Sequence, residues 1–205
     1  MPEKHLSLIR SFTVADLITV GNASCGTISI FFCLSYLAGE RHRFFALAFA
    51  LIFLALFFDV LDGYWARRSR RQSVLGADLD SLSDIVSFGV APAVLGFTLG
   101  MRGGWDMVIL VFFVVCGISR LARFNATAAA LSDDRGKVKY FEGTPIPTSV
   151  VIVGLLGIAF ALGAIEQNLW LGVYRLASAN LHPLAFIYVI SGMGMISATI
   201  RIPKP

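Results

Sequence analysis

Residues 58–84, FDVLDGYWARRSRRQSVLGADLDSLSD, put five aspartates and four arginines into a chain that is otherwise overwhelmingly apolar. One Asp near the centre of a bilayer costs at least ~2.5 kcal/mol, so a run of them among apolar segments needs a chemical reason. The 205 residues are 57% hydrophobic and 15% charged, with mean hydropathy +0.76. That is too apolar for a soluble domain and long enough for several bilayer crossings. The composition predicts an all-α membrane protein forming a single domain over residues 1–205. In such a chain the net charge of +4 reports topology and gives no reason to expect a nucleic-acid partner. Cys25, Cys33 and Cys116 lie in apolar runs without zinc-binding spacing and read as small buried hydrophobes.

Outward from this stretch, the apolar runs predict six transmembrane helices, at about 15–37, 44–64, 75–99, 106–124, 147–165 and 183–200, each near the ~20 residues a crossing needs. Residues 1–14, with Lys4 and Arg10 among apolar side chains, predict a short amphipathic helix lying on the headgroup surface. No cleavable signal peptide is expected, because the first apolar run is too long and lacks a small-residue processing site. Asp16, Gly21, Asn22 and Gly26 in the first span suit helix packing better than lipid contact. Six spans return both termini to one side. Thirteen of the seventeen Lys and Arg then fall on that side, including Arg67, Arg68, Arg70, Arg71, Arg120 and Arg123, leaving Arg41, Arg43, Arg102 and Arg175 on the other. The positive-inside rule makes the first side cytoplasmic.

Asp59 and Asp62 are three residues apart near the end of the second span, and Asp80 and Asp84 four apart near the start of the third. Each pair shares one helix face. Antiparallel neighbours joined by a short arginine loop bring the two pairs to the same depth. Four facing carboxylates repel unless cations lie between them, and oxygen ligands without His or Cys select Mg²⁺ or Mn²⁺, with Ca²⁺ also admitted, over zinc or copper. The cluster predicts a site for two divalent cations. Asp78, about 200° round from Asp80, points away from it. Gly63 and Gly76 allow close approach of backbone or ligand, Ala66 makes room, and Arg67, one turn past Asp62, is suited to a substrate phosphate. Arg68, Arg70 and Arg71 read as loop charges.

Asp59, Asp62, Gly63, Ala66, Arg67, Gly76, Asp80 and Asp84 match D-x2-D-G-x2-A-R-x8-G-x3-D-x3-D at every fixed position, and the chain resembles the CDP-alcohol phosphotransferases on that signature. The resemblance implies six transmembrane helices, a homodimer, and a cytoplasm-facing dinuclear metal site that transfers a phosphatidyl or similar group from a CDP-linked donor to an alcohol. Carried over by position, it implies metal ligation by Asp59, Asp62 and Asp80, and both ligation and general-base duty for Asp84. CDP-diacylglycerol would be held near Asp62, Gly63, Ala66, Arg67 and Gly76, with its tails in the membrane lipid.

DSLSDIVSFGVAP (80–92), CGISRLARFN (116–125), KYFEGTPIP (139–147) and the tail GMISATIRIPKP resemble the phosphatidylserine synthase branch, the tail its fungal form, which implies L-serine as acceptor. Arg120 and Arg123, three apart on one face with Asn125 nearby, suit an amino-acid carboxylate, although positive-inside anchoring alone would also account for them. Phe124, Tyr140 and Phe141 read equally as interfacial aromatics, and Glu142 as a loop cap or a partner of the serine ammonium. A sister enzyme using glycerol 3-phosphate or inositol phosphate would also want arginines. A divalent-cation transporter would leave Gly63, Ala66, Arg67 and Gly76 unexplained. The short N-terminus leaves the endoplasmic reticulum and a prokaryotic plasma membrane both open.

Overall fold

The computed structural model describes residues 13–69, 76–131, 140–197, 199 and 201–203. The expected surface helix over 1–14 lies outside them except for Thr13 and Val14. Within them the chain is nearly all helical: α1 Val14–Leu37, α2 Arg43–Ser69, α3 Gly76–Asp84, α4 Ala91–Leu99, α5 Gly104–Leu131, α6 Val150–Ala161 and α7 Phe186–Ile196. Four stretches are long and apolar enough to cross a membrane: Val14–Leu37, Arg43–Trp65, Gly76–Leu99 and Gly104–Thr127. They coincide with the first four expected spans to within a few residues.

The last two helices are shorter than expected. The apolar helical stretches Ile146–Ala161 and Pro183–Ile196 rise about 24 and 21 Å at 1.5 Å per residue, less than the ~30 Å hydrocarbon core. Helix α6 stops where Gly163 turns to φ +73°. After α7 the chain leaves the helix, and β4 Arg201–Pro203 pairs antiparallel with β1 Tyr140–Glu142. A second hairpin, β2 Tyr174–Leu176 with β3 Ala179–Leu181, lies between α6 and α7.

The surface is apolar, unlike that of a soluble protein, and the largely apolar interior also holds polar groups. Val60, Leu82, Val111, Val151 and Ile190 are more than 60% exposed, while Asp16, Thr19, Asn22, Ser29, Asp62, Ser83, Asp84, Ser87 and Ser149 are buried. Apolar residues can face lipid at no cost, so the interior collects the groups that need partners. Asp16 shows the pattern at the start of α1: Thr13 N–H donates to its Oδ2 at 2.7 Å and its own N–H donates to Thr13 Oγ1 at 3.3 Å, a reciprocal cap. Helices α1 and α2 form an antiparallel pair pinned midway by Ser29 Oγ donating to the Ala48 carbonyl at 2.8 Å. At their connected end, the rings of Tyr36, His42, Phe45, Phe49 and Phe160 stack and bring in α6.

The third span is the central one, with 67% of its apolar window buried against about a third for the others. It is not one uniform α-helix. Residues Ile85–Val90 between α3 and α4 are π-helical, with Ala91 N–H bonded to the Val86 carbonyl. Pro92 has no N–H to give the Phe88 carbonyl one turn back. Ser149 Oγ fills that gap at 2.7 Å, and Ser87 Oγ donates to the Asn22 carbonyl at 2.9 Å. The wide turn therefore locks the central span to α1 on one side and to the entry of α6 on the other. At the α1 crossing, a Cβ on Gly26 would stand 2.8 Å from Ser87 Cα. Replacing Gly26 by Leu is expected to force the helices apart and destabilise the protein by about 1–3 kcal/mol, read as a lowered midpoint of thermal unfolding in detergent, while Gly154→Ala, whose Cβ would meet only Phe53 Cζ at 4.0 Å, shifts it far less.

Candidate metal and phosphate site

Because α1 and α2 are antiparallel, the beginning of α1 meets the later half of α2, and α3 enters beside both. Asp59 and Asp62 from α2 and Asp80 from α3 each place a carboxylate oxygen within 4.8 Å of the other two. Asp62 is buried, Asp59 and Asp80 partly so. Asp84, also buried, lies outside this group of three and adjoins it through a side-chain contact with Asp59. Asp78 is exposed and not part of the group, as its angular position predicts.

Two unit charges at that separation repel by about 3.5 kcal/mol at an effective dielectric of about 20. Three or four carboxylates held in an apolar bundle thus stay ionised together only with positive charge among them. The donors are all carboxylate oxygens, so they fit a hard divalent cation.

Two α1 side chains hold the carboxylates from behind. Thr19 Oγ1 donates to Asp62 Oδ2 at 2.7 Å while also lying 3.0 Å from the Ala15 carbonyl. Asn22 Nδ2 donates to Asp84 Oδ1 at 3.4 Å, and its Oδ1 is buried without a hydrogen-bond partner among the described residues. By sequence alone Asn22 is a packing residue and Thr19 is not singled out. Their spacing, with Asp16, Thr19, Asn22, Gly26 and Ser29 recurring every three or four residues, is a polar stripe along one helix face. Only the pairing of α1 with α2 aims that stripe at the aspartates.

On the other side stands α5. The Arg120 guanidinium interacts electrostatically with Asp84 and Asp80 and lies near Arg123. It also sits over the Phe124 ring, 5.8 Å from its centroid. Arg120 Nε and Arg123 Nη2 are buried without a hydrogen-bond partner among the described residues. Asn125 Nδ2 donates to Ser81 Oγ at 3.0 Å, tying α5 to the turn between Asp80 and Asp84. Gly63 lies on α2 and Gly76 begins α3. Ala66 and Arg67 also lie on α2, and Glu142 on β1 opposite Arg201; the side chains of these three expected site residues are outside the described part of the structure. The expected residues that can be located thus converge from α2, α3 and α5, with α1 added.

A family model described as CDP-alcohol phosphatidyltransferase matches residues 12–191, and the chain belongs to that family. It is 44% identical, over 99% of its own length and 75% of the relative's, to a CDP-diacylglycerol–serine O-phosphatidyltransferase of Saccharomyces cerevisiae. To a protein of the same name from Methanocaldococcus jannaschii it is 35% identical over 72% of its length and 61% of the relative's. To an archaetidylserine synthase of Methanothermobacter thermautotrophicus it is 37% identical over 71% and 58%.

The geometry predicts graded effects on cation binding, measured by Mn²⁺ titration calorimetry on purified protein. Asp62→Asn is expected to abolish binding, Thr19→Val to weaken it about 10-fold by freeing Asp62, and Asp78→Asn to leave it unchanged. Ser29→Ala removes a comparable buried bond between α1 and α2 far from the aspartates and is expected to leave Mn²⁺ affinity intact.

Proposed function

We infer that this chain is a membrane CDP-diacylglycerol–serine O-phosphatidyltransferase, joining L-serine to the phosphatidyl group of CDP-diacylglycerol and releasing CMP. The observation that carries the reading is the position of Arg120, whose guanidinium faces the aspartates while its Nε has no hydrogen-bond partner among the described residues. A partly buried guanidinium with an unused, buried Nε–H is suited to an oxyanion, and a carboxylate can take two parallel N–H bonds from such a group. The near full-length likeness to the yeast transferase supports serine as the source of that carboxylate.

Asp59, Asp62, Asp80 and Asp84 would hold two divalent cations, Mg²⁺ or Mn²⁺. When bound, these ions polarise the donor's pyrophosphate and offset the charge on the departing CMP. The rest of the chemistry lies with the chain's own side chains. Arg120 and Arg123 bind the serine carboxylate, Asn125, braced by Ser81, and Phe124 border that pocket, and Glu142 takes the ammonium. Asp84, with Asn22 on its Oδ1, receives the hydroxyl proton as the serine oxygen bonds to the lipid-linked phosphorus. The bond from that phosphorus to the CMP oxygen breaks, and CMP leaves with its electron pair. Arg67 contacts the donor phosphate, and Gly63, Ala66 and Gly76 leave the backbone accessible to it. The diacylglycerol tails stay in lipid, consistent with the apolar exteriors of α1, α2 and α5.

Residues 1–205 form one such domain with six crossings, the short α6 and α7 being completed by their flanking segments or by local thinning of the bilayer. The excess of Lys and Arg at the acidic end supports a cytoplasm-facing site. The family likeness supports a homodimer.

Purified protein given CDP-diacylglycerol and Mn²⁺ is expected to release CMP with L-serine, and not with glycerol 3-phosphate or inositol phosphate; release with another acceptor and none with serine would overturn the assignment. Asp84→Asn is expected to lower kcat by about 10²–10⁴-fold. Arg120→Ala is expected to raise the KM for serine at least 10-fold with a much smaller effect on the KM for CDP-diacylglycerol, as measured by CMP release over a range of each substrate.

A further inference from the structure

The end of the molecule away from the aspartates carries a feature that phosphatidyl transfer does not use. Between α6 and α7, Leu171, Val173, Tyr174 and Leu176 are 67%, 55%, 62% and 54% exposed. They occupy the β2–β3 hairpin and the turn that leads into it, where Leu171 and Ala177 adopt left-handed backbone at φ +69° and +54°. Non-glycine residues in that region are uncommon, and here they sit at the two ends of the stretch that displays the apolar side chains.

This segment is fastened firmly. Trp105 Nε1 donates to the Leu176 carbonyl at 3.1 Å. Asp106, fully buried in the first turn of α5, accepts from the backbone N–H of Gly103 and of His182, both at 2.8 Å, and pairs with the His182 ring at 2.6 Å. A Cβ on Gly104 would press on Ala179 at 2.9 Å. The hairpin is therefore seated on the N-terminal end of α5. Trp105, itself 41% exposed, heads the α5 stripe Val108, Phe112 and Val115, which is exposed along the span. Arg120, beside the aspartates, lies 15 residues further on, about 22 Å at 1.5 Å per residue.

We propose that residues 171–182 form an interfacial membrane anchor, with Leu171, Val173, Tyr174 and Leu176 immersed in the acyl-chain boundary of the leaflet opposite the aspartate site. Three observations choose lipid over another protein surface. The apolar side chains continue the exposed stripe of α5 through the Trp105 contact. The sheet has only two strands, and open strand edges are tolerated among headgroups and water but not in hydrocarbon, which sets the depth at the boundary. The composition is two-sided: exposed Glu166, Gln167 and Asn168 precede the apolar run, and exposed Arg175 lies between Tyr174 and Leu176, within reach of lipid phosphates. Tyr and Trp at this level match the aromatic belt of a bilayer surface. The proposal does not depend on the identity of the acceptor alcohol.

The test uses the full chain with Cys25, Cys33 and Cys116 replaced by Ala. Val173→Cys and, separately, Leu176→Cys carry an environment-sensitive fluorophore, and the protein is reconstituted into phosphatidylcholine vesicles with or without brominated acyl chains. Glu40→Cys, in the exposed α1–α2 turn at the same end, is the reference. Labels at 173 and 176 are expected to emit blue-shifted light and to be quenched by brominated lipid at least two-fold more than the label at 40. Quenching at 173 and 176 no greater than at 40 would overturn the proposal. So would efficient disulfide formation between two copies through Cys at 173 without quenching, which would make the surface a contact between chains. If Val173→Cys lowers the midpoint of thermal unfolding, Tyr174→Cys takes its place.

Discussion

Mutual repulsion of carboxylates in an apolar bundle is the constraint on which the rest of the arrangement depends. Asp59, Asp62 and Asp80 stand within one ligand shell of each other, with Asp84 alongside. Such a group persists only where opposite charge and hydrogen-bond donors are brought to it from every side. Helix α1 supplies neutral donors, Thr19 and Asn22, and α5 supplies the Arg120 guanidinium. Neither set neutralises the whole group, and its hard, all-oxygen donors suit a divalent cation.

The helices are shaped to deliver these groups. The π-helical turn after Asp84 and the proline that follows leave backbone carbonyls in need of donors, and Ser149 supplies one where Pro92 cannot. Ser87, carried on the same turn, bonds the Asn22 carbonyl on α1. The backbone of Asn22 is thereby held by the central span while its side chain reaches Asp84, so the irregular turn and the carboxylate are one mechanical unit. Gly26 permits this by letting α1 approach the turn at backbone contact. Irregular backbone in a membrane span is tolerable where it is buried in protein, and this turn lies in the most enclosed span.

Much of the fold was legible because apolar runs must be helical in lipid, and the first four expected spans match the helices closely. The last two were overextended. Hydropathy continues through Leu162 and Ile200, but Gly163 breaks the helix at one and pairing of β4 with β1 diverts the chain at the other. Neither a positive φ nor a strand partner 61 residues away registers in a hydropathy profile.

At the site, the sequence by itself determined the family, the four aspartates and their faces, because those depend only on residue identity and on the fixed 100° per residue of a helix. It likewise marked Arg120, Arg123 and Asn125 as neighbours on one segment. Only the tertiary structure decided that Thr19 and Asn22 belong with the aspartates, that Arg120 faces Asp80 and Asp84, and that Ser81 braces Asn125. These are contacts between residues 36 to 62 positions apart, and they exist because α1, α2, α3 and α5 cross at one depth. Spacing along a helix sets the direction of a side chain, but what it meets there is set by the helix packed against it.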